Sequence, residues 1–147
     1  MSARALVDTN VLVSRFDGRF PERQRTATEV LRRAVAEGSA CLAHQTLLEF
    51  VAATTRPGAG GQPLLDPTDA RREAEELLSQ FDVVYPDAET LRLALRGAAA
   101  YQLSWFDAHM WAYAERYGLV ELWSEDFEHG RLYGTVRVVN PFVRPLQ

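Results

Sequence analysis

Ala5-Leu6-Val7-Asp8-Thr9-Asn10 decides how this chain is read. Three apolar residues run straight into an acid and two small polar residues. So short an apolar run reads as a buried strand, and Asp-Thr-Asn as the turn or helix cap that ends it. The same alternation continues outward. Ala27, Val30, Leu31 and Ala34 recur at helical spacing over 22–37, and Gly38 stops that helix. A second strand is expected over 40–43 and a helix over 46–55, where Leu47, Leu48, Phe50 and Val51 lie broadly inward. Then follow a helix over 68–80 entered through Asp66-Pro67, a strand over 82–85, helices over 88–101 and 106–117, and strands over 120–123 and 136–139. Strands separated by helices imply an α/β fold, a parallel sheet with helices on both faces.

The chain has 147 residues and no internal repeat, enough for one domain with a sizeable core over 1–147. Its one break in composition, the Gly- and Pro-rich stretch 56–67, reads as a loop. There is no lysine: all 16 basic residues are Arg, set against 20 acids. That excludes phosphate-loop, Schiff-base and general-base lysine chemistry, because Arg holds its proton at any working pH. A single cysteine, Cys41, excludes an internal disulfide or a cysteine-built zinc cluster and points to a reducing compartment. The start Met1-Ser2-Ala3-Arg4, with its short apolar run, is not read as a signal peptide, and no stretch is long enough for a membrane span. The expected location is the cytoplasm.

In open parallel sheets, sites form beyond the carboxyl ends of strands, where strand order reverses. Asp8 follows the first strand, and Ser124-Glu125-Asp126 follows the fourth. Asp107 lies in the first turn of the helix feeding the fourth strand, and Glu49 in the helix after the second. If these converge, they form a site for a hard cation, Mg²⁺ or Mn²⁺, which prefers oxygen ligands. Taken singly, each acid has a structural reading. Asp8 and Asp126 suit caps, Asp107 suits a capping box with Ser104, and Glu49 suits a solvated helix face.

Four segments resemble the PIN-domain family, and within it the VapC-type toxin ribonucleases. They are Leu6-Val7-Asp8-Thr9-Asn10, Gln45-Thr-Leu-Leu-Glu49-Phe50, Ser104-Trp-Phe-Asp107-Ala108 and Leu122-Trp-Ser124-Glu-Asp126-Phe127. The ending from Glu128-His-Gly130-Arg131 to Val138-Val-Asn-Pro-Phe142 is similar too, so the resemblance covers nearly the whole chain. It implies a three-layer α/β/α sandwich with a five-stranded parallel sheet, and a divalent-metal-dependent ribonuclease. It also implies a cognate VapB-type antitoxin that blocks the site, a homodimer, and a transfer or ribosomal RNA as substrate. Carried over by position, Asp8, Glu49, Asp107 and Asp126 are the acidic quartet that binds metal and catalyses. Thr9, Asn10 and Ser124 orient those acids. The loop over 56–67 departs from the commonest toxins and bears on the RNA-facing rim.

Setting the quartet aside leaves 16 acids against 16 Arg, so no global basic field exists for broad nucleic-acid binding. Locally, 15–33 holds six Arg against Asp17, Glu22 and Glu29. Arg15, Arg19, Arg23 and Arg25 are candidate RNA contacts, or else a solvated helix face with internal ion pairs. His44, His109 and His129 suit structural or solvated roles better than ligation. Trp105, beside Asp107, is the aromatic residue singled out for base stacking. Two other functions compete with this reading. A phosphatase with an aspartyl nucleophile needs a second Asp where Asn10 stands, and the lysine this chain lacks. A non-catalytic PIN-type module that binds RNA or protein would leave the acids without a purpose.

Overall fold

The computed structural model describes residues 3–143; Met1 and Ser2, part of the start read against a signal peptide, lie outside that range. The first strand is β1 (Ala5–Val7), followed by the short helix α1 (Thr9–Ser14) and the long helix α2 (Pro21–Glu37). Then come β2 (Ala40–Ala43), α3 (His44–Thr55), α4 (Pro67–Gln80), β3 (Asp82–Val84), α5 (Ala88–Tyr101) and α6 (Trp105–Arg116). The chain closes with β4 (Glu121–Trp123), β5 (Leu132–Tyr133) and β6 (Val136–Val139). One sheet has the order β3-β2-β1-β4-β6-β5, in which β3, β2, β1, β4 and β6 are parallel.

Those five parallel strands are the ones expected. The sixth, β5, corrects the five-stranded expectation: it pairs antiparallel with β6 at the sheet edge. The two residues between them, Gly134-Thr135, make a tight hairpin, with Gly134 at φ 61° where the strand twist needs a left-handed residue. Glu115 on α6 accepts from the Thr135 amide (2.9 Å) and holds the turn. A two-residue strand carries no periodicity, which is why the sequence does not reveal it.

Alternation along the strands builds two cores. Leu6, Cys41, Leu122 and Val138 point to one face and pack with Ala94, Met110 and Trp111 of α5 and α6. Ala5, Val7, Leu42 and Trp123 point to the other and pack with Leu12, Leu31, Phe50 and Leu77 of α1–α4. This is the expected three-layer α/β/α sandwich. Among the described residues, no helix is long and apolar enough to cross a membrane.

Helix starts follow local chemistry. Pro21 and Pro67 occupy the first turns of α2 and α4, where a missing N–H costs nothing. Asp66, Asp87 and Ser104 cap α4, α5 and α6 through their side chains.

Trp111 of α6 lies directly against Gly97 of α5. A Cβ there would lie 2.4 Å and 2.7 Å from two atoms of the Trp111 ring. That ring is itself fixed, since Trp111 Nε1 donates to the Tyr133 carbonyl at 2.9 Å. Gly97→Ala gains helix propensity, about 1 kcal/mol, but must displace a pinned indole, at about 1–3 kcal/mol. The expected net result is destabilisation, read as a lower urea midpoint at unchanged m-value.

Candidate metal centre

The chain runs outward from β1 through β2 to β3, then returns to place β4 on the other side of β1. The order therefore reverses between β1 and β4, and the residues leaving their carboxyl ends face one crevice. Asp8 donates its amide to the Trp123 carbonyl (2.9 Å), and Ser124 donates its own to Val139 (3.0 Å), which fixes both strand exits. Asp107 enters from α6, whose first turn is set by Ser104 Oγ accepting from the Asp107 amide at 3.3 Å.

Carboxylate oxygens of Asp8, Asp107 and Asp126 lie within 4.8 Å of one another. Oxygens around one octahedral Mg²⁺ at about 2.1 Å stand roughly 3–4 Å apart, so this donor set fits a hard cation with small adjustment. The three differ in exposure: Asp8 is buried at 4%, Asp107 is half-buried and Asp126 is exposed.

Asp8 is the most perturbed. Burial pushes its carboxyl up to about 7, against hydrogen bonds from Ser124 and Thr9 that favour the ionised form. The nearby charges of Asp126 and Glu49 add to the rise. Ser124 Oγ donates to Asp8 Oδ2 (2.7 Å), and the Thr9 amide to Oδ1 (2.7 Å). Asp107 is raised too, first by burial, with Asp126 and Glu49 contributing and Ser104 opposing.

Asn10 and Ser124 join the two strand exits. Asn10 Nδ2 reaches Asp126 Oδ2 (3.0 Å), Ser124 Oγ (3.3 Å) and Asp8 Oδ2 (3.4 Å). Its Oδ1 accepts from the Glu125 amide (3.3 Å), and Ser124 Oγ accepts from the Asp126 amide (3.0 Å). Glu49 stands beside the three-acid group rather than in it. Thr9 Oγ1 donates to its Oε1 (2.7 Å), and Gln45 Nε2 to its Oε2 (2.7 Å). Thr9, Asn10 and Ser124 thus all contact the acids they were expected to orient.

A groove of about 870 Å³ runs from these acids between α1, α3 and the start of α2, lined in part by Glu49, Asp126, Phe20, Arg23, Arg56 and Phe106. Among the expected Arg contacts, Arg23 lines it, in an ion pair with Glu125 and 4.0 Å from the Phe142 ring centroid. Arg19 is clamped on Asp17 at 2.8 Å, and that pair holds the Asp17 carboxyl below its usual range. Arg15 lies over the Phe16 ring. Arg25 lines a different cavity, with Arg4, Ser39 and Glu121, because two residues on a helix turn it about 200° from Arg23. Arg56 and Phe106 were missed as groove residues: one stood in an irregular loop, the other beside an acid that drew the attention.

The histidines lie outside the acid group. His44 stacks near Tyr85, His129 Nδ1 accepts from the Asn140 amide (2.9 Å), and His109 Nδ1 meets Gln45 Oε1 (2.8 Å). Trp105 is partly exposed on the first turn of α6 and packs near His109. Cys41 is buried, which pushes its thiol up to about 12 and leaves it unreactive.

The fold is similar to solved toxin structures. A toxin–antitoxin complex from Klebsiella pneumoniae aligns with TM-score 0.65 and 23% identity, covering 93% of this chain and 97% of that one. A DNA-bound VapBC from Salmonella typhimurium aligns with TM-score 0.66 and 16% identity, covering 92% and 96%. VapC20 from Mycobacterium tuberculosis, described as a sarcin-ricin-loop-cleaving toxin, aligns with TM-score 0.61 and 17% identity, covering 84% and 91%. No curated protein matches the sequence. The family model for the PIN domain matches residues 5–134, a span that runs from β1 to the turn after β5 and holds all three clustered acids. By that match the chain belongs to the PIN-domain family.

Proposed function

We propose that this protein is a VapC-type toxin: a divalent-cation-dependent endoribonuclease that acts in the cytoplasm and is held in check by a VapB-type antitoxin. The observation that carries this reading is the group of Asp8, Asp107 and Asp126 at the end of an open groove. Three close carboxylates repel one another and would repel an anionic substrate. A divalent cation, Mg²⁺ or Mn²⁺, reverses both effects.

In this reading Asp8, Asp107 and Asp126 would hold the cation, and Glu49, which stands beside them, would complete the shell through water. A bound divalent ion acidifies water and stabilises charge on a phosphate. The residues of the chain do the rest. Asn10 and Ser124 keep the carboxylates of β1 and β4 in register, and the hydrogen bonds from Ser124 and Thr9 to Asp8 offset part of the burial that favours its protonated form. Arg56, exposed and without an ion-pair partner among the described residues, supplies fixed positive charge for a neighbouring phosphate. Phe106 and Phe20, both exposed on the groove, offer apolar ring surface to unpaired bases. That arrangement suits a single-stranded loop of a transfer or ribosomal RNA better than a closed duplex. Water adds to phosphorus and the bridging O–P bond breaks, with no covalent bond to the protein.

A homodimer belongs to the same proposal. Leu48, Leu91 and Trp105 stand exposed on α3, α5 and α6 around one hollow beside Glu49, an apolar face suited to a second copy.

The deciding experiment is cleavage of folded transfer and ribosomal RNA by the purified chain with Mg²⁺ or Mn²⁺, with and without EDTA. Cleavage that needs the cation supports the proposal. Binding of RNA without cleavage under either cation supports the non-catalytic module instead. The groove carries a second expected result. Arg56→Ala lowers the salt slope of RNA binding by about 0.7, the effect of losing one phosphate contact to a single strand. Arg25→Ala, facing another cavity, leaves the slope unchanged. Equal slopes for both variants would remove the groove from the RNA path.

A further inference from the structure

Gln45 does more than its place in the α3 sequence suggests. It is 8% exposed and uses its side-chain amide in three directions. Nε2 donates to Glu49 Oε2 at 2.7 Å and to the Phe106 carbonyl at 3.1 Å. Oε1 faces His109 Nδ1 at 2.8 Å. A carboxylate and a carbonyl can only accept, so the NH₂ side must face them. The oxygen therefore faces His109, whose Nδ1 must carry the proton. The amide cannot flip without losing its bonds to Glu49 and to the Phe106 carbonyl.

Phe106 immediately precedes Asp107. Gln45 therefore ties a carboxylate on α3 to the peptide that carries the acid of α6. On its other oxygen Glu49 takes the hydroxyl of Thr9, which immediately follows Asp8. The result is a continuous chain of contacts, Thr9 to Glu49 to Gln45 to Phe106, that joins the neighbours of Asp8 and Asp107. Glu49 is held entirely by neutral donors, so its charge is aimed but not neutralised. An ordinary helical pair four residues apart would satisfy Glu49 alone. The second N–H, given across to another helix, is what such a pair does not explain.

We propose that Gln45 is a positioning residue: held by the Nδ1 proton of His109, it sets Glu49 against Asp107 and thereby raises the site's affinity for a divalent cation. This rests on the metal-site reading above, but not on the substrate.

The test is binding of Mn²⁺ alone to the full chain, followed by electron paramagnetic resonance of the free ion. Gln45→Ala should weaken Mn²⁺ binding about 10- to 100-fold, the usual effect of losing a partner that orients a ligand. His109→Leu should weaken it in the same direction. His109→Asn, whose Nδ2 stands where Nδ1 stood, should bind as the wild type does. Circular dichroism confirms that each variant is folded; should Gln45→Ala fail to fold, the His109 pair still decides. Wild-type affinity in Gln45→Ala would overturn the inference. So would His109→Asn binding as weakly as His109→Leu, since the effect would then belong to the ring's packing and not its proton. If the wild type binds Mn²⁺ and cuts no RNA, the ribonuclease proposal falls while the Gln45 result stands. If the wild type binds no Mn²⁺, both fall.

Discussion

Asp8→Asn is expected to lower cation-dependent RNA cleavage by at least about 10²-fold while leaving the fold intact, because a metal ligand underpins several kcal/mol of charge stabilisation in the transition state. Asp8 is the one acid that both leaves the central strand and is buried, at 4% exposure. Asn keeps the shape of Asp and an oxygen where the Thr9 amide donates at 2.7 Å, while its NH₂ group takes the place of the oxygen that accepts from Ser124 (2.7 Å) and Asn10 (3.4 Å). The volume at residue 8 is preserved, and what is lost besides those two bonds is the charge that the proposed site aims at the cation. The measurement is initial cleavage rate at saturating Mg²⁺, with circular dichroism of the same preparation. A variant that cuts as fast as the wild type would show that the acid group is a structural feature of the strand exits. A misfolded variant would show that Asp8 matters chiefly as the cap of α1.

The order of elements was legible because each strand is a short apolar run closed by a polar residue, and each helix has a stop or a cap. Val7-Asp8 and Trp123-Ser124 mark the carboxyl ends of neighbouring strands, so Asp8 and Asp126 meet as the strand-end rule requires. Helix α1 was not legible as a helix: six residues are fewer than two turns and show no usable period. Its cap was, and Asp8 both caps α1 and belongs to the three-acid group. That Glu49 comes near the other acids was legible, but not its standoff from the three-acid group, which depends on how α3 is rotated about its own axis. The Arg cluster illustrates the opposite case. Arg23 and Arg25 sit two apart in a helix, so their divergence follows from helical geometry alone, without any structure. The Gln45 bridge was out of reach, because its second acceptor is a backbone carbonyl on another helix.

The same buried carboxyl makes the stability of the cation-free protein fall as pH rises. Asp8 ionises near its ordinary 3.8 in the unfolded chain and at about 7 in the fold. Between those values the folded state binds the extra proton, so stability decreases from about pH 4 to about pH 7 and this contribution is flat above. The shift corresponds to as much as about 4 kcal/mol, or on the order of 10 °C in Tm for a chain this size. Other acids titrate over the same range, so the comparison that isolates Asp8 is wild type against Asp8→Asn. The variant should gain on the wild type from pH 4 to about pH 7 and keep that gain unchanged to pH 8 in the presence of EDTA. Adding Mn²⁺ at pH 8 should stabilise the wild type by mass action and leave the variant nearly unmoved. At pH 4.5 the same addition should do little to either, because a protonated Asp8 offers the ion no charge. Thermal melts across that grid decide the matter. A gap between wild type and variant that stays constant with pH would mean that Asp8 ionises as freely in the fold as out of it. The site would then have no need of a cation to be stable, and the electrostatic case for one would be gone.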